Sequence, residues 1–274
     1  TFVMILNSIR LTLLSSLLAS VTFSVRADTL SDLKNVLTNL HDDGALAVEY
    51  TSKYTQNRGK QSDLKTKKGF ITLSASYNEK GLQVAYNKEI LDKVALEEKL
   101  KEQDENADTP TLNAMYRVES SDLLEMMSAA PSLLRFINKA KFKTEKQVQF
   151  QDTQARELMF DMPLESIITD QETRDHVDDF KGQFRLLVNS NNIPIESELT
   201  FTGSGSAYVF FSIKLAQTIT NQYQLLGSRL VNTGQSYSRK QSSTFGQSDS
   251  NGEKKLTILA DNNEFERKDL TCKL

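Results

Sequence analysis

A long stretch of alternating apolar and polar residues, from position 180 to 231, constrains the fold of this chain more than any other feature. Over residues 180–188 every second position carries Phe, Gly, Leu or Val, and most positions between them are polar. Such a period of two is typical of a half-buried antiparallel strand. Residues 189–192 (Asn-Ser-Asn-Asn) and 203–206 (Gly-Ser-Gly-Ser) tolerate turn backbone, so the chain is predicted to reverse at both. The stretch therefore predicts a meander of long strands with one apolar face.

The rest of the chain supplies further strands and the helices that can cover this face. Period-two patterns predict strands over residues 46–52, 71–77 and 82–86, and a hairpin over residues 148–162. Apolar residues that recur at intervals of three and four predict helices over residues 30–40, 88–106 and 120–137. Pro131 is predicted to divide the last of these into two short helices, because proline lacks the amide donor that a helix interior needs.

These patterns predict an α+β fold in which a strongly curved antiparallel sheet, a half-barrel, carries helices over its concave face. The apolar face of the sheet must be covered, and only the first helix and residues 88–139 are available for that. Residues 28–260 are predicted to form a single domain, because a chain of about 250 residues can bury one sizeable core. Residues 232–253, rich in Ser, Gln, Asn and Gly, form either a long mobile loop or a polar strand pair. Residues 261–274 are predicted to be a polar C-terminal tail.

Residues 1–27 are predicted to be a cleaved signal peptide. A short apolar run follows Arg10, and Val25 and Ala27 supply the small residues that precede a cleavage point. This run is shorter than the roughly 20 residues that a helix needs to cross a bilayer. The processed protein is therefore predicted to lie in the periplasm without spanning the membrane.

Charge and motif content argue against several kinds of partner and site. With 33 basic and 36 acidic residues, the chain has a formal net charge of -3 and offers no general attraction to nucleic acid. The single cysteine, Cys272, has no partner within the chain and is either a free thiol or an intermolecular one. One Cys and two distant His do not match a zinc pattern, and the sequence has no phosphate loop or dinucleotide fingerprint. No metal, cofactor or catalytic residue is therefore predicted.

The strongest positive signal for binding is an excess of apolar side chains in the helical region and the meander. Their number exceeds what one face of a surface helix needs, and methionine adapts to variable apolar ligands as well as to gaps in a core. A helical lid over the sheet would leave a lipid-sized cavity between them, and the alternative is that the same side chains fill a dry core. The predicted lining residues are Leu123, Met126, Met127, Leu134, Phe136, Phe184 and Phe201.

The order of these segments resembles that of the lipoprotein-localisation-factor (LolA/LolB-like) half-barrel superfamily. The resemblance covers the signal peptide, the helix before three strands, the central helices and the meander FKGQFRLLVNSNNIPIESELTF over residues 180–201. Residues 180–256 are also similar to a group of uncharacterised bacterial periplasmic proteins with a turn before proline (here NNIP) and a Ser/Gly-rich loop. The resemblance implies an unclosed antiparallel barrel with a helical lid that binds acyl chains or lipoproteins. The lid arginine of the carriers has no clear counterpart, and Arg117 and Arg135 are candidates only by their place in the helical region.

The sequence thus predicts a periplasmic, non-enzymatic carrier or sensor that binds a lipid or lipoprotein acyl chain in an apolar cavity. The alternative is a structural or interaction module of the cell envelope, with a filled core and another envelope protein as its partner. An enzymatic hypothesis rests on His176, which, like His41, has aspartates as near neighbours. Aspartate beside histidine is needed for an acid–base relay but is common by chance, so no catalytic role is assigned.

Overall fold

The computed structural model of the chain describes residues 29–40, 44–60, 62–207 and 211–259. The predicted signal peptide and C-terminal tail lie outside the described residues, as do His41 and Cys272. Within the described ranges, no helix is both long enough and apolar enough to cross a membrane.

The described residues form ten strands and seven helices. The helices are α1 (29–39), α2 (Lys88–Gln103), α3 (Pro110–Met115), α4 (Ser120–Met127), α5 (Ala130–Lys139), α6 (Leu164–Ile167) and α7 (Gln171–Asp175). The first five strands are β1 (Leu46–Lys60), β2 (Asp63–Asn78), β3 (Gly81–Ala85), β4 (Lys141–Phe150) and β5 (Thr153–Asp161). The other five are β6 (Val177–Val188), β7 (Pro194–Ala207), β8 (Phe211–Leu226), β9 (Arg229–Ser243) and β10 (Gly246–Ile258). The predicted order of a helix, three strands, a helical region and a final run of strands is confirmed.

All ten strands belong to one antiparallel sheet in the order β3-β2-β1-β10-β9-β8-β7-β6-β5-β4. The last strand therefore pairs with the first, and Val48 of β1 lies opposite Ile258 of β10. Strands β3 and β4 form the two edges, although only the helices α2 to α5 separate them along the chain. The helical segment consequently passes from one edge of the sheet to the other.

The predicted strongly curved half-barrel is wrong, because the sheet is open and not strongly curled. Strong bending of a sheet needs β-bulges or glycine kinks that break the pairing register. Register shifts occur in the pairs β4–β5, β6–β7 and β8–β9, whereas β1–β2, β1–β10, β9–β10 and β7–β8 run without one over their paired residues, so the breaks in register are local. A one-sided apolar pattern is the same in a flat and in a curved sheet, so the sequence pattern did not distinguish the two.

The predicted reversal at residues 203–206 is also wrong, because these residues lie inside β7. The glycines there have a different role. A Cβ atom at position 205 would lie 2.4 Å from the carbonyl oxygen of His176. The amide of Ser206 donates a hydrogen bond of 3.0 Å to the same oxygen. Gly205 therefore allows the close approach of the chain between α7 and β6.

Two other predictions about turns and polar segments are resolved by the strand pairing. Residues 189–192 form the predicted reversal between β6 and β7, where Asn192 has a φ of 62° and the amide of Asn189 donates to the carbonyl of Ile193. Of the two alternatives for residues 232–253, the polar strand pair is correct. Strands β9 and β10 pair from Gly234 opposite Lys255 to Ser243 opposite Gly246.

One face of the sheet, called the helix-side face below, carries the apolar residues and packs against the helices. It includes Val48, Leu73, Phe184, Leu199 and Leu256, all of which are buried. Because neighbouring residues in a strand point to opposite faces, the residues between these positions form the outer face. The apolar core therefore lies in one layer between the sheet and the helices.

Candidate functional site

A cleft of about 180 Å³ lies between the helices α4 and α5 and the helix-side face of the sheet. It is called the helix-side cleft below. Its apolar lining consists of Met126, Ala129, Leu133 and Phe136 from the helical segment and Phe184, Leu199 and Ile219 from the strands. The wall formed by the helices is thus apolar in four of its positions but also carries Asp122, Glu125 and Ser132, and the wall formed by the sheet is partly apolar.

The seven predicted lining residues lie in two separate core clusters. The cluster with β1, β2 and β10 contains Leu123, Met126 and Met127. The cluster with α1 and strands β5 to β7 contains Phe184 and Phe201, and the half-buried Leu134 and Phe136 pack against it. Of the seven, Met126, Phe136 and Phe184 line the helix-side cleft. The other four are part of the packed core around it.

The floor of the cleft is a hydrogen-bonded group of neutral polar side chains on β7, β8 and β9, which are adjacent strands. The hydroxyl oxygens of Ser197 and Tyr223 are 2.7 Å apart. Asn221 donates to Ser197 over 3.3 Å and accepts from Asn232 and Gln235 over 3.0 and 2.9 Å. Ser197 and Asn232 are buried. This polar floor, formed by the five residues named here, satisfies much of its own hydrogen bonding, as buried polar groups in native proteins do.

Tyr223 stays uncharged in this environment. Burial raises its pKa above the ordinary value, and the hydrogen bonds with Ser197 and Asn221 offset part of the increase. The phenol is therefore protonated throughout the physiological pH range. The polar floor consequently offers hydrogen-bond donors and acceptors without a net charge.

A second and larger cavity of about 680 Å³ adjoins the cleft on the same face of the sheet. It is called the arginine trough below, because Arg58, Arg117 and Arg239 line it. The rest of its polar lining includes Ser52, Gln56, Gln217, Gln241, Ser248 and Ser250. The cleft and the trough share the lining residues Asp122, Ile219, Gln235 and Lys254. The two cavities therefore meet along a common boundary.

An ion pair between Asp122 of α4 and Lys254 of β10 lies at this boundary. The side chain of Lys254 is only 19% exposed, so water screens this pair less than a surface pair. The pair connects the helical segment to the sheet at the point where the apolar cleft changes into the polar trough.

Arg117 and Arg135, the two candidates for the lid arginine of the lipoprotein carriers, occupy different places. Arg117, in the turn between α3 and α4, has its guanidinium 3.8 Å from the centre of the Tyr54 ring and donates to Gln56 over 2.8 Å. Burial raises the pKa of Tyr54, and the positive charge of Arg117 offsets part of that increase. Arg135 lines neither cavity and pairs with Glu125 over 3.1 Å on the exposed side of α5. Arg117 therefore lines the candidate site itself, whereas Arg135 donates to Glu125 and Ser132, which line the helix-side cleft.

Sequence reasoning missed the polar floor and the trough. Both consist of polar residues at strand positions that face the helices, such as Asn221 between Ile219 and Tyr223. The alternation of β8 could have indicated the polar floor, because a polar side chain at an inward-facing position of a strand needs a hydrogen-bond partner. The partners come from β7 and β9, and only the strand pairing identifies them.

The site carries no arrangement typical of catalysis or metal binding. His176 ends α7 and is exposed, and it lines neither cavity. In the part of the chain that the structure describes, no three His, Cys, Asp or Glu residues come together in a way that would hold a metal ion. The chain matches no family model, and no curated protein or solved structure is detectably similar to it. The geometry of the two cavities is therefore the main guide to function.

Proposed function

We propose that this protein is a non-enzymatic carrier or sensor that binds an amphiphile with an acyl chain in the helix-side cleft. The lining of the cleft is the observation on which the proposal rests. Apolar side chains such as Leu133 and Phe136 face a polar floor that contains Asn221 and Tyr223. An acyl chain matches this lining, because its methylene groups need apolar contacts and its ester or amide linkage needs hydrogen-bond partners.

The size of the cleft limits how such a ligand is held. Its volume of about 180 Å³ is smaller than the roughly 300–1,000 Å³ of typical ligand pockets, whereas the adjoining trough of about 680 Å³ lies within that range. A whole acyl chain therefore either extends from the cleft into the trough or displaces α4 and α5 from the sheet. The proposal includes a periplasmic location, which rests on the predicted signal peptide and on the resemblance to lipoprotein-localisation factors.

The proposal is tested with the substitution Ile219→Gln, which puts a neutral polar group between the two cavities. Ile219 is half-buried on β8, so the change is compatible with folding. We expect binding of a fluorescent acyl probe to weaken by about tenfold, because an amide placed against an acyl chain loses its hydrogen bonds to water. The measurement is a fluorescence titration, together with native mass spectrometry of protein purified from the periplasm of an expression host.

The matched control is Thr218→Gln, one position earlier on the same strand. Thr218 lies on the outer face, opposite Thr200 and Ser238, so this variant should bind the probe as the unaltered protein does. Equal binding by the Ile219 variant and the unaltered protein would contradict the proposed site. Repeated absence of acyl species and of probe uptake would contradict the proposed function.

A second candidate function is an interaction module of the cell envelope with a filled core. The observation that favours it is the burial of Leu123 and Met127, whose side chains belong to one packed core cluster with Val48 of β1 and Leu256 of β10. In that case native mass spectrometry detects no bound lipid. In addition, a crosslinker placed on an edge strand, at an exposed position of β4, captures one specific envelope protein.

A further inference from the structure

The arginine trough concentrates positive charge in a chain whose formal net charge is negative. Its lining contains Arg58, Arg117, Arg239 and Lys254 against Glu119 and Asp122. Asp122 is engaged with Lys254. Three guanidinium groups and one carboxylate remain, and among the described residues none of the three arginines forms an ion pair. The trough therefore has an excess of uncompensated positive charge.

The three arginines come from distant parts of the chain and converge on the helix-side face. Arg58 is on β1 and Arg239 is on β9, on either side of β10, so their strands are about 10 Å apart. Arg117 reaches over β1 from the turn between α3 and α4. Arg58 and Arg239 lie on strands that are paired on both sides, so the backbone positions of these two arginines are held by the sheet.

Contacts within the trough orient two of the three guanidinium groups but leave donors free for a ligand. Arg117 stacks 3.8 Å above the ring of Tyr54, and one of its nitrogens donates to Gln56. Arg239 donates to Gln241 over 3.2 Å. A guanidinium has five N–H donors, so each of these arginines has more donors than these neutral partners occupy. Stacked or tethered arginines are well suited to multi-oxygen anions, especially phosphate.

We propose that the arginine trough binds a phosphate group, and that this group is the headgroup of the amphiphile whose acyl chain occupies the helix-side cleft. The inference rests on the proposed function for the acyl chain and adds the chemical class of the headgroup. The shared boundary of the two cavities at Ile219 and Gln235 makes one ligand able to reach both. The hydroxyl and amide groups around the arginines provide further hydrogen bonds to the phosphate oxygens.

The experiment compares three probes by calorimetry: dodecyl phosphate, the neutral monododecylglycerol and inorganic phosphate. The test variant is Arg58→Gln/Arg117→Gln/Arg239→Gln. We expect it to bind dodecyl phosphate about 100-fold more weakly, because each charge-assisted hydrogen bond contributes strongly to affinity. Its binding of monododecylglycerol should stay within about twofold of that of the unaltered protein, because only the headgroup contacts are removed.

The control variant is Lys214→Gln/Lys240→Gln/Lys255→Gln, which removes three positive charges from the outer face of β8, β9 and β10. It should bind all three probes as the unaltered protein does. Circular dichroism and thermal unfolding check that both triple variants fold, which we expect because all three arginines are exposed.

The possible results separate the two proposals. If the arginine variant binds dodecyl phosphate as tightly as the unaltered protein, or if the lysine variant weakens it equally, the phosphate site is wrong. If the unaltered protein binds both amphiphiles equally well, the phosphate site is wrong and the acyl carrier stands. If inorganic phosphate binds through the arginines but neither amphiphile binds, the anion site stands and the carrier is wrong.

Discussion

Glu97 is a charged side chain in a buried position of α2, with 8% of its surface exposed. Its two carboxylate oxygens accept hydrogen bonds from the amides of Thr111 and Leu112 over 3.1 and 2.7 Å. These amides belong to the first turn of α3, where Thr109 precedes the helix without forming a side-chain cap. A carboxylate from a neighbouring helix thus satisfies the amides that a capping residue would otherwise serve, and it also matches the positive end of the helix dipole.

The substitution Glu97→Ala should lower the free energy of unfolding by about 2–3 kcal/mol, because two buried amides lose a charged acceptor. Urea denaturation at neutral pH measures the change. The neighbouring Glu98 is exposed, so Glu98→Ala should change the free energy of unfolding by less than about 0.5 kcal/mol. Similar values for the two variants would contradict the capping role of Glu97.

Single residues such as Glu97 set a limit on what the sequence predicts. The interval of apolar residues in α2 correctly places Ile90 and Val94 on the buried face. It does not reveal that a glutamate on the same helix is buried, because its partners lie 14 and 15 residues further along the chain. The same holds for Arg117, whose stacking on Tyr54 depends on a turn that the sequence did not define.

At the scale of single elements, strands were predictable where one face is apolar and the other polar. The alternation of β2 and β6 is of this kind, and both strands were identified. Strands β9 and β10 are largely polar on both faces, so their sequence also fits a loop. In β7, Gly and Ser suggested a turn because these residues favour turns, although here glycine meets a steric requirement of the neighbouring segment.

The substitution Gly205→Ala should destabilise the pairing of β6 and β7 by about 1–3 kcal/mol, because the new methyl group would collide with a backbone oxygen that cannot rotate away. That oxygen belongs to His176 and would lie 2.4 Å from the new Cβ. Thermal or urea unfolding measures the effect.

Gly203 provides a matched control two residues earlier on the same face of the same strand. A Cβ atom there would lie 3.5 Å from the carbonyl oxygen of Asp179, which is an ordinary contact. The variant Gly203→Ala should therefore keep the stability of the unaltered protein or increase it slightly. Equal losses for the two alanine variants would show that steric collision is not the reason for glycine at position 205.

At the scale of the whole molecule, the order of elements was predictable but the shape of the sheet and the composition of the site were not. Curvature depends on where the register shifts, and register is a property of pairs of strands. The arginine trough brings together residues 58 and 239, through the pairing of β1 with β10 and β10 with β9, and residue 117, through the contacts of the turn between α3 and α4 with β1. No local pattern around any one of them indicates that the other two are close.

The position of a strand in the sheet should determine how fast its backbone amides exchange with solvent. Strands β1 and β10 are paired on both sides, whereas β3 and β4 are edges with one paired side. We expect the outward-facing amides of β4 to exchange at least about 100-fold faster than the central amides of β1, because edges open locally without global unfolding. Hydrogen exchange measured by mass spectrometry or NMR tests this. Equal protection of β4 and β1 would mean that another molecule or segment covers the edge.

The antiparallel pairing of β1 with β10 determines how the molecule responds to mechanical tension. Val48 lies opposite Ile258 and Gly59 lies opposite Gln247, so the start of β1 and the end of β10 are at the same end of the pair. A force that pulls on the segments before β1 and after β10 loads the hydrogen bonds between these strands one after another. We therefore expect β1 and β10 to separate at low force when they are pulled in this way. A pull along the strands would load all of their hydrogen bonds together and would need a higher force.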